Sequence, residues 1–383
     1  MAALSSGHCA TDFAGGALPA LLPFFVDKFD LSYTLAAAAM LASAISSSVI
    51  QPFFGLWSDR RGAIWLLPTG VALAGAGMAV AAVAPSYWLV LVFVVVSGLG
   101  TAAFHPEGSK FAAFAGGDRR ASAMSLFSIG GNVGYALGPT IATPLVLAFG
   151  LEGGLFVAVP AVVVALALLR VAPRLAGLAP ERGQRVQSQE PDRIGALALL
   201  LGVIAFRSLA WFGLITFVPL YEVSLGHSKA HGNHLLSLML LAGGLGTLAA
   251  GPLADRFGRR PVLLVSTAVT APLILVYVAI VGIPGAFALA GVGVAVIGTF
   301  GVTMVMSQEY LPRHIGMASG LSIGLSIGLG GIGAIVLGAI ADSVDLRTAM
   351  YVAAGAAAVG LVLVVLLPAS GPGRRLAAEP AVQ

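Results

Sequence analysis

Gly55-Leu56-Trp57-Ser58-Asp59-Arg60-Arg61-Gly62 and Gly251-Pro252-Leu253-Ala254-Asp255-Arg256-Phe257-Gly258-Arg259-Arg260 are two copies of one short pattern. Each opens on glycine, places an Asp-Arg pair four residues on, and closes on glycine and arginine. The two aspartates stand 196 residues apart in a chain of 383, close to half its length. Each copy follows a long apolar run and precedes another. A repeat at this spacing means that the chain consists of two similar halves.

What surrounds the two copies sets the solvent. Hydrophobic residues make up 58% of the chain, charged residues 9%, and the mean hydropathy is +0.98. Soluble domains carry roughly 25% charged residues. Whole stretches, such as Ala63 to Phe104 and Pro261 to Gln308, have no charge at all. The chain therefore belongs in a membrane, which excludes a soluble enzyme, a nucleic-acid binder and a disordered protein. The single cysteine, Cys9, allows no intramolecular disulfide and no cysteine metal site.

A helix crosses the hydrocarbon core with roughly 20 apolar residues. Cutting the apolar runs at their turn residues gives twelve spans, at 5–27, 33–57, 63–84, 87–110, 120–149, 153–171, 194–222, 231–254, 261–282, 286–308, 314–341 and 346–367. The first has no basic leader and contains His8 and Asp12, so a retained helix is expected in place of a signal peptide. Sixteen of the twenty Lys and Arg residues follow even-numbered spans or lie in the tail. By the positive-inside rule both termini face the cytoplasm. The absence of a targeting sequence and the high Ala, Gly and Arg content suit a bacterial inner membrane. The polar stretch 172–193 separates an N-terminal six-helix bundle, 1–171, from a C-terminal bundle with a short cytoplasmic tail, 194–383. Two six-helix halves related by an axis along the membrane normal form a parallel-repeat architecture.

The repeated Asp-Arg loop resembles the signature of the major facilitator superfamily. Three further segments resemble its fosmidomycin-resistance exporters. They are Gly7-His8 with Thr11-Asp12 and Leu18 to Pro23, then Phe104-His105-Pro106-Glu107-Gly108-Ser109-Lys110, then Gly130 to Gly134 with Ala136 to Pro139. The resemblance covers most of residues 5–150. It implies an all-α fold of twelve spans in which helices one, four, seven and ten line a central cavity. It also implies proton-coupled export of a small antibiotic or metabolite, with no cofactor beyond the proton gradient.

Ionisable side chains inside a span are costly, and they mark pathways when they occur. His8 and Asp12 lie four apart and so share a helical face. We expect Asp12, with His8, to carry the coupled proton, and Glu107 to be the second candidate; Lys110, three residues on, can instead simply pin Glu107. His105 precedes Pro106, whose ring removes a helical hydrogen bond, and it is a candidate substrate donor. Arg207 falls mid-span in the seventh helix and needs an anion: the substrate, Asp12 across the cavity, or Glu222 along its own helix. Trp211 is expected to wall the pocket, and Asn132 and Tyr135 to donate hydrogen bonds to substrate. The Gly130, Gly134, Gly138-Pro139 spacing is a close-packing seam resembling the antiporter motif of drug exporters, although Ser125 stands in place of its first glycine. Asp59 and Arg60, with Asp255 and Arg256 as the weaker copy, are expected to gate, because ion pairs broken at a bundle interface let the halves rock.

Four classes compete. A proton-driven antiporter comes first, and a facilitator or symporter importing a small organic anion or metabolite comes second; the fold alone does not separate them. An intramembrane enzyme lacks its motifs, and a channel lacks a pore loop or charged ring. The expected partners are a small, anionic substrate, protons and the lipid bilayer, with no nucleic acid; the chain is expected to be a monomer.

Overall fold

In the computed structural model the chain is described over residues 1–61, 63–116, 120–178, 191–280, 282–313 and 315–368, without the side chains of 59–61, 120–122, 315, 316 and 319. It is all helix, with no strand among the described residues. The N-terminal half holds α1 (Ala2–Phe29), α2 (Tyr33–Ser48), α3 (Gln51–Arg61), α4 (Leu66–Val83), α5 (Tyr87–Gly116), α6 (Arg120–Phe149) and α7 (Ala158–Ala176). The C-terminal half holds α8 (Ile194–Ser224), α9 (Lys229–Phe257), α10 (Arg259–Ala279), α11 (Ile283–Gly298), α12 (Phe300–Tyr310), α13 (Ile315–Ser343) and α14 (Leu346–Leu366).

Among the described residues fourteen α-helices make twelve crossings, because α2 with α3 and α11 with α12 are each one span broken near its middle. Conversely, Ala123–Ala176 is a 54-residue apolar stretch. As one helix it would reach about 80 Å, against a core of about 30 Å. A 3-10 helix at Gly150–Val157, entered through Gly150 at φ 66°, divides it into α6 and α7. The sixth span consequently begins at Ala158, later than the expected 153, and runs to Ala176, five residues into the expected linker. Residues 179–190 and 369–383 lie outside the described part. The end of the connection is seated on the C-terminal half, where the Arg193 amide donates to the Tyr310 carbonyl at 2.6 Å.

Packing repeats between the halves. In the first, α1 packs on α6, α4 on α5, α2 on α5 and α4 on α7. In the second, α8 packs on α13, α10 on α11, α9 on α11 and α10 on α14, the same pairs shifted by six spans. The halves meet through α2 against α13 and α6 against α9, again a related pair, with α1 against α8 between them. Large apolar side chains point outward, among them Leu245 at 67% exposure and Phe287 at 73%, where only lipid makes them favourable.

Polar contacts between the halves gather toward the Arg-poor end, which carries the connections before α2, α9 and α14. Asp342 of α13 accepts from the amides of Tyr33 and Thr34 at 2.7 and 2.9 Å and from the Thr34 hydroxyl at 2.6 Å. Lys229 of α9 pairs with Asp27 of α1. One turn deeper, the Asn233 side-chain amide donates to the Ala20 carbonyl at 3.0 Å and to Thr143 Oγ1 at 2.9 Å. Near mid-depth, Asn132 Nδ2 reaches Thr247 Oγ1 at 3.4 Å. These contacts shut the Arg-poor end.

Candidate functional site

The site begins with how closely α6 approaches α1. A Cβ built on Gly130, Gly134 or Gly138 would fall 2.4, 2.1 or 2.3 Å from backbone atoms of Ser5, Cys9 or Gly16. No side chain fits there, so the glycine spacing lets the two helices touch backbone to backbone. Gly131, beside the seam, serves another purpose. Its missing side chain leaves the space occupied by the ends of His8 and Asp12, 2.4 and 2.7 Å from where a Cβ would stand.

His8 Nε2 is 3.2 Å from Asp12 Oδ2, and His105 Nε2, arriving from α5, is 3.0 Å from Asp12 Oδ1. The aspartate is thus bracketed by two imidazoles, one on each oxygen. The other ring nitrogens fix the hydrogen count. His8 Nδ1 lies 2.8 Å from the Phe127 carbonyl oxygen. A carbonyl only accepts, so Nδ1 carries a hydrogen. For Nε2 to donate to Asp12 as well, His8 must hold two hydrogens, making an imidazolium on a carboxylate. His105 Nδ1 instead faces the Gln51 side-chain amide nitrogen at 3.2 Å, a donor. Neutral His105 therefore satisfies both contacts, accepting from Gln51 and donating to Asp12. The His8 ring stacks on Phe127 with centroids 4.1 Å apart and meets His105 edge-on at 4.9 Å. The three side chains keep 14%, 20% and 25% exposure for His8, Asp12 and His105. The group is held by hydrogen bonds and is open to a solute.

Other expected residues fall elsewhere. Tyr135 lies beside the group, its ring edge 3.5 Å from where a Cβ on Gly15 would stand. Asn132 reaches across to α9, so it serves the junction of the halves. Glu107 is buried at the junction of α3 and α5, paired with Lys110 at 2.6 Å and hydrogen-bonded by Ser58, apart from Asp12. Trp211 is half-buried and packs against the apolar core.

Arg207 requires a correction: neither Asp12 nor Glu222 is its counter-ion. Its guanidinium donates to the Val296 carbonyl at 2.8 Å and to Thr299 Oγ1 at 2.6 Å, at the break between α11 and α12. It is buried at 5% exposure, inside the C-terminal half, with no carboxylate paired to it among the described residues. The break explains the placement, because an interrupted helix leaves carbonyls that need a donor. Glu222 is instead held by His227 Nδ1 at 2.6 Å and the Tyr277 hydroxyl at 2.8 Å.

Of the residues expected to gate, only the second copy of the loop has its side chains among the described residues. The side chains of Asp59 and Arg60 lie outside the described residues. Asp255 and Arg256 are exposed, and Arg256 stands over the Phe257 ring at 5.2 Å. Arg259, at the end of the same repeat, pairs with Glu309 at 2.7 Å. Gln51 and Phe127 complete the imidazole group and were not foreseen. The polarity of Gln51 inside an apolar run was the available signal; a backbone carbonyl such as that of Phe127 leaves none.

The Major Facilitator Superfamily model matches residues 4–233 and 200–381. The uncharacterised MFS-type transporter YfnC of Bacillus subtilis (strain 168) is 33% identical over 371 residues, covering 94% of this chain and 90% of that protein. The fosmidomycin resistance protein of Escherichia coli (strain K12) is 29% identical over 384 residues, covering 96% and 92%. Among solved structures, a bacterial homologue of the human lysosomal transporter Spinster, inward-facing and unoccupied, superposes with TM-score 0.76 at 16% identity, covering 95% of each chain. The fucose:proton symporter FucP of Escherichia coli gives 0.65 at 16%, covering 96% and 98%. With two related six-span halves and matches along nearly its whole length, this chain is a multi-pass membrane transporter and belongs to the major facilitator superfamily.

Proposed function

We propose that the chain is a proton-coupled antiporter that exports a small antibiotic or metabolite by alternating access. The observation that carries this reading is the bracketing of Asp12 by His8 and His105. A substrate group that donates a hydrogen bond to Asp12, or is cationic, takes the place of the His8 Nε2–H. The His8 ring keeps its Nδ1–H on the Phe127 carbonyl, and its second proton, now without a carboxylate, passes to water. Reprotonation on the other side restores the imidazolium on Asp12 and expels the substrate. Charge-assisted hydrogen bonds contribute about 1.5–3 kcal/mol each, enough to make the two occupants exclusive. The shut Arg-poor end and the partly exposed triad support access from the Arg-rich end, which the positive-inside rule puts in the cytoplasm of a bacterial inner membrane. Fosmidomycin is the first compound to test, because a relative similar over nearly the whole chain is named for resistance to it.

A second reading rests on the same two imidazoles. An anionic group would bind them in place of the carboxylate, leaving Asp12 to take up a proton, so that anion and proton travel together as in a symporter. The sign of coupling therefore depends on the charge of the group that meets Asp12.

Purified protein in liposomes with an acid interior and a pH dye separates the readings. On external addition of fosmidomycin, other drugs and small anions, proton efflux that is absent in Asp12→Asn is expected for the antiporter. Proton movement in the same direction as the solute would establish the symporter. Saturable uptake without proton movement would remove coupling from both.

A further inference from the structure

A second titratable cluster lies outside this site, at the Arg-poor end of the C-terminal half. Glu222 closes the last turns of α8, His227 stands in the connection, and His231 opens α9. Their donor atoms all lie within 4.8 Å of one another. His227 Nδ1 is 2.6 Å and His231 Nε2 3.5 Å from the same oxygen, Glu222 Oε2, and the two rings are 4.8 Å apart. Glu222 is buried and held in place, its other oxygen accepting from the Tyr277 hydroxyl of α10 at 2.8 Å. The two histidines are partly exposed at 34% and 48%, so their rings can turn. A cavity of about 220 Å³ lined by Glu222, His231, Tyr277 and Ile283 adjoins the cluster.

We propose that Glu222, His227 and His231 form a binding site for a divalent transition-metal ion of the zinc class. Two imidazoles and one carboxylate are a zinc donor set, whereas Mg²⁺ and Ca²⁺ favour oxygen ligands alone. Zn²⁺ replaces the hydrogen now lying between His227 Nδ1 and Glu222, and the ring passes to its Nε2–H tautomer. Closure to metal distances of about 2.0–2.2 Å asks only for ring rotation of the two exposed histidines. The Tyr277 hydroxyl supplies the outer hydrogen bond that orients a ligating carboxylate. The adjoining cavity leaves the fourth position to water or a small anion. The chelate would tie the end of α8 to the start of α9 on both sides of Lys229, the residue that pairs with Asp27 of the other half.

The test is Zn²⁺ titrated into the full-length protein in detergent, read by competition with a chromophoric chelator, with Co²⁺ absorption as the report on geometry. One ion per chain is expected at these residues. His227→Ala and His231→Ala should each weaken binding at least tenfold, and Tyr277→Phe about tenfold through its outer hydrogen bond. Because His8, Asp12 and His105 also bring three donor atoms together, His105→Ala is the control and should leave this binding in place. Absence of binding, or binding that survives loss of both His227 and His231, overturns the proposal.

Discussion

At the scale of single residues, Gly131 is the most economical probe of the triad. A methyl added there first meets the side-chain ends of His8 and Asp12, at 2.4 and 2.7 Å, and not backbone. Gly131→Ala is expected to leave the protein folded and to lower transport by about tenfold or more, roughly 1.4 kcal/mol, in a flux assay on protein with an unchanged thermal unfolding midpoint. Arg207 should behave the other way round. Arg207→Ala leaves the Val296 carbonyl and Thr299 without their donor, so a loss of about 1–3 kcal/mol in stability is expected, with substrate affinity unchanged. His8 and Asp12 were legible in the sequence because i, i+4 spacing is a local property. Their union with His105, 93 residues beyond Asp12, was not foreseen, since no local rule joins α1 to α5. The partners of Arg207 were misread because its acceptors are a carbonyl freed by a helix break and a threonine, neither of which hydropathy registers.

At the scale of helices, the α1–α6 seam sets how closely the site can be built. Gly134→Ala places a Cβ 2.1 Å from the Cys9 carbonyl oxygen, a backbone atom with no freedom to turn aside. Overpacking of this kind costs about 1–3 kcal/mol, and a lower midpoint of thermal unfolding is the expected result, unlike at neighbouring Gly131. Helix caps follow local chemistry just as plainly. Asp345 caps α14 by accepting from the Thr348 amide at 2.6 Å, and that hydrogen bond holds its carboxyl below the usual carboxylate range. A lowered value in the folded state means that the cap contributes fully above the ordinary carboxylate pKa and is lost as pH falls through the lowered one. Asp345→Asn is expected to flatten that acid-side dependence in melting curves taken across pH. Span positions were readable from apolar run length. The breaks at 49–50 and at Thr299 were not read, although Ser46 to Ser48 with Gln51-Pro52 flank the first and Gly298 with Gly301 the second, because a span tolerates such residues and whether they interrupt it depends on what packs alongside.

At the scale of the whole molecule, the repeated Asp-Arg loop disclosed the duplication, and the related packing of the two halves is the physical form of that repeat. What the sequence hid is the set of contacts joining the halves, since Asp27 with Lys229 and Asp342 with Thr34 connect residues 202 and 308 positions apart. Removing Lys229 and Asp342 together is expected to favour opening at the Arg-poor end. Spin labels on the connections before α2 and α9 would show it as a longer mean distance between them. The Asp342 contact has one more consequence. The first turn of α2 is completed by a carboxylate that the opposite half supplies, so its amides at Tyr33 and Thr34 are sheltered only while that end is shut. Each opening strips a helix of its borrowed terminus and exposes those two N–H groups to solvent. Their rate of exchange with deuterium therefore rises with the time the transporter spends open, a gauge already built into the backbone.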